Sequence, residues 1–251
     1  MIDMRPIMLI TGGSRGIGAA CAVQAAEAGY DVCFSYASNA EAAELVKAQC
    51  VSHGARALAV KADVSIEGDV LDLFTRCDVE LGAVSVLVNN AGVIGLQGEL
   101  ADFTAERIGW VVDVNVTGAL ICMREAALRM STKRGGAGGS IVNLSSMAAK
   151  LGAPFEYIDY AATKGAIDAA TIGLAKELGA AGVRVNAVRP GPTHTDIHAS
   201  GGEPDRIARL APNIPMGRGG EPSEVANLIL WLASEEASYM SGALIDVSGG
   251  R

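Results

Sequence analysis

The sequence predicts a single α/β domain built on a doubly wound, seven-stranded parallel sheet with helices on both faces. Three observations carry this. Short β-rich runs alternate with longer helical patterns along the whole chain. The runs are continuously apolar rather than alternating, as suits strands buried on both faces of a parallel sheet. No linker or composition shift divides the 251 residues.

In chain order, Ile7–Ile10 reads as the first strand, followed by glycines and an Ala-rich helix over about Ile17–Ala28. Val32–Tyr36 is the second strand; the next helix opens at Ser38 or Asn39, both good N-caps. Ala57–Lys61 is the third strand, leading through Asp63 and Ser65 into another helix. Ser85–Val88 is the fourth, and Thr104 caps one long helix running to Met130. Gly135–Ser140 is the turn into a fifth strand, Gly139–Leu144. A helix over Tyr157–Leu178 precedes the sixth strand, Val183–Val188. Ser223–Ser234 and Ala243–Val247 supply the last helix and the seventh strand. The Gly- and Pro-rich stretch His194–Gly220 reads as a substrate lid within this one domain, with Gly201-Gly202 as its hinge.

Half the residues are hydrophobic and 19% are charged, enough for a large core. A net charge of −8 argues against nucleic acid or an anionic membrane as partner. The opening MIDMRPIMLI lacks a signal-peptide design, and no apolar run is long enough to span a bilayer. Five cysteines without a CxxC pattern read as reduced, buried thiols of a cytoplasmic protein. His53, His194 and His198 show no metal-ligand spacing, so no metal is expected.

Thr11-Gly-Gly-Ser-Arg-Gly-Ile-Gly18 joins the first strand to the first helix. Gly12, Gly16 and Gly18 allow a tight turn and close backbone approach, and the helix N-terminus then faces a pyrophosphate. An acidic residue at the end of the second strand would favour NAD, but Ser35-Tyr36-Ala37-Ser38 stands there. Arg15 in the loop is placed to pair with a 2′-phosphate. The reading favours NADP, with NAD as the alternative.

Tyr160-Ala-Ala-Thr-Lys164 places a phenol and an ammonium on one helix face. The cation favours the phenolate, so the tyrosine is suited to move a proton to or from a carbonyl or alcohol oxygen. Ser145-Ser146 ends the fifth strand, at the sheet edge where ligands bind in open α/β folds. Asn115 lies in the long helix, and Asn89-Asn90-Ala91-Gly92 ends the fourth strand.

Taken together these motifs resemble the short-chain dehydrogenase/reductase family, a Rossmann fold. The resemblance spans essentially the whole chain: TGGSRGIG, Asp63-Val64, NNAG, Asn115, the serine pair, YAATK, Arg189-Pro190-Gly191 and Ser241-Gly242 through Gly249-Gly250. It implies an NADP- or NAD-dependent oxidoreductase acting on a small carbonyl or alcohol. Ser146 would polarise the substrate oxygen, Tyr160 would transfer the proton, and Lys164 would lower the Tyr pKa and bind the ribose. Asn115 would hold a relay water. The cofactor would lie on Gly12, Ser14, Arg15, Gly16, Ile17 and Gly18, with Asp63 and Val64 at the adenine. Asn90, Ala91 and Gly92 would meet the adenine-side ribose region; Pro190, Gly191, Thr193 and Thr195 would meet the nicotinamide.

Ser146 precedes Tyr160 by one residue more than is usual in the family, and Met147 stands where a strict count puts the serine. An extra residue in Gly152–Asp159 accounts for this. Strand alternation turns Ser145 and Ser146 opposite ways, which leaves Ser146 as the choice and Ser145 as the alternative. The family forms homotetramers through the helices bearing Asn115 and Tyr160, both here rich in small apolar residues. Within the family the chain resembles sugar dehydrogenase-like and 3-oxoacyl-carrier-protein reductase-like members. Sugars, steroid-like alcohols, acyl thioesters and small ketones all remain open as substrates. Arg206 and Arg209, or Arg124 and Arg129, are the basic residues a carrier protein would use. A catalytically silent cofactor-binding sensor is the other functional class; the intact Ser, Tyr, Lys and Asn set argues for the enzyme.

Overall fold

A computed structural model describes residues 5–251; the start of the opening segment lies outside the described residues. Seven parallel strands form one sheet: β1 Ile7–Ile10, β2 Asp31–Tyr36, β3 Ala57–Lys61, β4 Val86–Asn89, β5 Gly139–Leu144, β6 Val183–Pro190 and β7 Leu244–Val247. Their order is β3-β2-β1-β4-β5-β6-β7. The strand order therefore reverses between β1 and β4, which opens a crevice at their carboxyl ends.

The helices are α1 Gly16–Glu27, α2 Ala40–Ser52, α3 Glu67–Glu80, α4 Ala105–Val112, α5 Ala119–Met130, α6 Ala148–Leu151, α7 Ile158–Leu178, α8 Ile197–Ser200, α9 Arg206–Leu210 and α10 Pro222–Ala233. On one face Cys21, Ala22, Val46, Ile229 and Leu232 of α1, α2 and α10 pack on Met8, Phe34 and Val142. On the other Leu73, Phe74, Met123 and Ile167 of α3, α5 and α7 pack on Leu9, Leu87 and Ile141. Burying a side chain the size of Phe74 contributes about 2–3 kcal/mol, so two such layers hold the sheet rigidly beneath the crevice.

The inner strands β1 and β4 are buried throughout, as continuous apolar runs require. The edge strands differ: β3 alternates and β7 is half-exposed, because each has a neighbour on one side only. Asn39 rather than Ser38 caps α2, accepting from Ala42 N at 2.9 Å. Thr104 caps α4 by accepting from Arg107 N. The helix it starts is not one uninterrupted α-helix. Residues Asp113–Gly118 form a π-helical turn between α4 and α5, with Asn115 inside it. The last helix begins at Pro222 within a Glu221/Glu224 capping box, one residue before the expected Ser223.

The excursion 194–220 is closed at its neck. Thr193 bridges Gly220, and His194 N donates to Gly220 O at 2.9 Å. It carries α8 and α9, so His198 does sit in a helical turn. Gly201 is not a free hinge: it is buried, and a Cβ there would lie 2.5 Å from Ile94 Cδ1. Its carbonyl accepts from Tyr157 Oη at 3.2 Å.

Candidate active site

The crevice is a cavity of about 770 Å³ running from the end of β2 to α9. At one end lies the glycine loop. Gly12 has φ +68°, and a Cβ there would stand 3.1 Å from Ala91 Cα. A Cβ on Gly18 would stand 2.2 Å from Gly12 O, so only glycine fits where the loop turns back on α1. No side chain caps α1, which leaves its first N–H groups to an anion. Asn90 staples the loop from the next strand, its Nδ2 donating to Thr11 O and Gly12 O at 2.9 Å.

Ser14, Arg15, Gly16 and Ile17 line the cavity with Ser35–Asn39, Asp63, Val64, Asn90, Ala91 and Gly92. Asp63 also organises its own turn, accepting from Ser65 N at 2.9 Å. The β2 end carries no carboxylate; Asp31 sits at the other end of that strand, bonded to Arg56 Nε at 2.6 Å. Gly18 and Asn115 are buried behind the wall rather than lining it.

Ser146, Tyr160 and Lys164 meet at the middle of the cavity with Pro190, Gly191, Thr193 and Thr195. The serine pair divides as strand alternation requires. Ser145 is buried and donates to Lys164 O at 3.2 Å, whereas Ser146 faces the cavity beside the Tyr160 phenol. Lys164 is only 4% exposed, its Nζ donating to Leu144 O at 2.7 Å and lying 5.5 Å from the Tyr160 ring centroid.

The electrostatics depart from the simple expectation. Burial pushes the Tyr160 phenol above its ordinary value; the Ser146 hydroxyl and the Arg206 charge oppose that rise. Burial also pulls Lys164 down to about 8, against the pull of Asp168. The Lys164 ammonium donates to the Leu144 carbonyl, and the groups that oppose the rise of the phenol are Ser146 and Arg206. Asn115 is fully committed by its side chain: Oδ1 accepts from Val93 N at 2.8 Å, while Nδ2 donates to Val93 O and Thr163 Oγ1.

The far end was largely invisible in the sequence. Ile94, Trp110, Leu151, Pro154, Tyr157, Ile197 and Leu210 give it apolar walls. Arg206 and Arg209 line it too, held by Glu156. Arg124 and Arg129 lie elsewhere, paired with Glu67, Glu125 and Asp78.

A family model described as enoyl-(acyl carrier protein) reductase matches residues 12–251. The uncharacterized oxidoreductase YgfF of Escherichia coli is 51% identical over 245 residues, 98% of this chain and 99% of its own. A short-chain type dehydrogenase/reductase from Mycobacterium marinum superposes with a TM-score of 0.91 at 34% identity, over 99% of this chain and 96% of its own. The chain belongs to the short-chain dehydrogenase/reductase family. A further member, from Burkholderia cenocepacia and in complex with NADP, superposes with a TM-score of 0.89 at 32% identity, covering 98% of each chain. The seven-stranded order, the glycine loop at the switch point and the crevice above it are thus those of a Rossmann-fold oxidoreductase. Among the described residues, no helix of this dehydrogenase/reductase is long and apolar enough to cross a membrane.

Proposed function

We propose that the protein interconverts a carbonyl and an alcohol by hydride transfer with NADP(H), Tyr160 serving as acid/base. The observation that carries this is the meeting of Ser146, Tyr160 and Lys164 on one cavity wall, beside an uncapped helix N-terminus. The cradle fits a dinucleotide: Gly12 and Gly18 pack the loop tightly against Ala91 and the Gly12 carbonyl, and the uncapped α1 N-terminus beside it suits a pyrophosphate. Arg15, with Ser38 and Asn39 where a carboxylate would repel phosphate, supports NADP over NAD.

When bound, the nicotinamide gives or takes the hydride. Every proton is handled by the chain. Tyr160 donates to the carbonyl oxygen during reduction and accepts from the hydroxyl during oxidation. Ser146 hydrogen-bonds the same oxygen and fixes its position. Lys164 holds positive charge next to the phenol and offers N–H groups to the ribose. The Asn115 side chain locks the π-turn to the 91–93 loop and α7, so any relay water is held by main-chain atoms there. The 194–220 segment acts as the lid, excluding water from the reacting atoms.

Apolar residues on the exposed faces of α4 and α5, including Ile108, Val112, Leu120 and Leu128, support assembly as a homotetramer. Five free, buried cysteines support residence in the cytoplasm.

The test is spectroscopic. Reduced nicotinamide absorbance is followed over a panel of ketones, sugars and acyl thioesters, with NADPH and NADH in turn. Tyr160→Phe is expected to lower kcat by about 10²–10⁴-fold while NADPH still binds. A variant that turns over like the parent removes the role of Tyr160. A protein that binds neither cofactor removes the reading altogether.

A further inference from the structure

Arg206 stands where a substrate would end. It lines the apolar end of the cavity, and its Cζ lies 4.7 Å from the Tyr157 ring centroid. Glu156 takes one Arg206 N–H at 2.5 Å, while the Tyr157 hydroxyl donates to Gly201 O. A guanidinium has five, so most of its donors have no protein partner.

Glu156 does not depend on Arg206. Its Oε2 holds Arg206, and its Oε1 holds Arg209 at 2.7 Å. Arg206 is therefore free to take a second anion while Glu156 stays paired. The loop that brings Glu156 here is strained to do so. Ala153 and Phe155 both adopt positive φ, +44° and +61°, without being glycine. Each such residue costs about 1–3 kcal/mol, and strain of this kind gathers at ligand sites.

From these observations, and resting on the carbonyl-reductase reading above, we propose that Arg206 binds a carboxylate on the substrate. The substrate class is an oxo acid: an apolar body against Ile94, Trp110, Leu151 and Leu210, with a carboxylate one or two carbons from the carbonyl. The short distance follows from the place of Arg206 over the Tyr157 ring, three residues before Tyr160 at the start of α7, with Tyr160 holding the carbonyl oxygen. Arginine suits this role better than lysine, since its planar fork matches a carboxylate with two parallel hydrogen bonds.

The test compares kcat/KM for acetoacetate and benzoylformate with that for their ethyl esters, using NADPH and the full chain. The parent prefers the acids. Arg206→Gln lowers kcat/KM for the acids about 10- to 100-fold more than for the esters, the worth of a charge-assisted hydrogen bond. Arg206→Lys keeps part of the preference. A purely structural role would lower acids and esters alike, and that outcome overturns the proposal. So does a parent that prefers the esters, or that reduces none of the four while binding NADPH; in the last case the cofactor reading survives. If NADPH itself fails to bind, the parent reading falls first and this one with it.

Discussion

Ser146 and Tyr160 are the pair through which pH acts on the site. The phenol is pushed up by burial, and the Ser146 hydroxyl and the Arg206 charge are what pull it back. Removing a group that favours the phenolate raises the pH at which the phenolate forms. In the proposed alcohol oxidation the tyrosine starts deprotonated, so kcat/KM is expected to rise with pH. Ser146→Ala is expected to move that rising limb to higher pH and to lower the plateau about 10²–10³-fold; a pH–rate profile with a fixed alcohol reads both. The limb belongs to a coupled system that includes Lys164, itself drawn down to about 8. A limb that stays in place removes Ser146 from the phenol's surroundings. At this scale Tyr160 and Lys164 were legible because a spacing of four sets one helix face. Arg206 was legible as a basic residue of the lid, but its pairing with Glu156 was not, since they meet across 50 residues and only the fold joins them.

At the scale of elements, the approach to Tyr160 is fixed by an ion pair. Arg107 of α4 donates from Nε to Asp159 Oδ2 at 2.9 Å, from Nη1 to Leu96 O, and its guanidinium lies over the Phe103 ring. Asp159 is buried and accepts from Tyr160 N through Oδ1. This ion pair thus joins α4, the 91–98 loop and the first turn of α7. Arg107→Met leaves that carboxylate buried without its partner and is expected to cost about 3 kcal/mol. Thermal unfolding would register it as a Tm lower by about 6–12 °C in a chain of this length. An unchanged Tm would mean that solvent replaces the guanidinium freely. The element pattern was legible because buried strands and their helices differ in length and composition. The π-turn at Asn115 and the strained Gly152–Tyr157 loop were not: Asn115 looks helical by periodicity, and Ala153 and Phe155 carry no turn signal. Each is held by contacts from other elements, as when Val93 and Thr163 bind the Asn115 side chain.

At the scale of the molecule, the sheet order followed from repeated strand–helix–strand units and right-handed crossovers, whereas assembly depends on surfaces that those units leave outside. The outer face of α7 nonetheless has the form of a surface meant to be covered. Ala162 and Ala169 are exposed along it, and a Cβ added at Gly165 or Gly173 meets nothing within 4 Å. The inner face of the same helix holds Lys164 and Asp168, and Asp168 binds Arg189 of β6 at 2.7 Å. A smooth outer face lets a second copy of the helix approach closely, and the inner face then has little room to shift. Subunit packing would in this way stiffen the helix that carries Tyr160. Light scattering is expected to give four times the 25.7 kDa chain mass. Ala169→Glu places a charge on the exposed face without touching the core, so it is expected to lower the mass and leave the circular dichroism of the fold intact. If the mass falls and kcat falls with it, assembly supports the chemistry. If the mass falls and kcat holds, each subunit carries a complete site. If the parent is already monomeric, the α7 face is not an interface between copies of this chain.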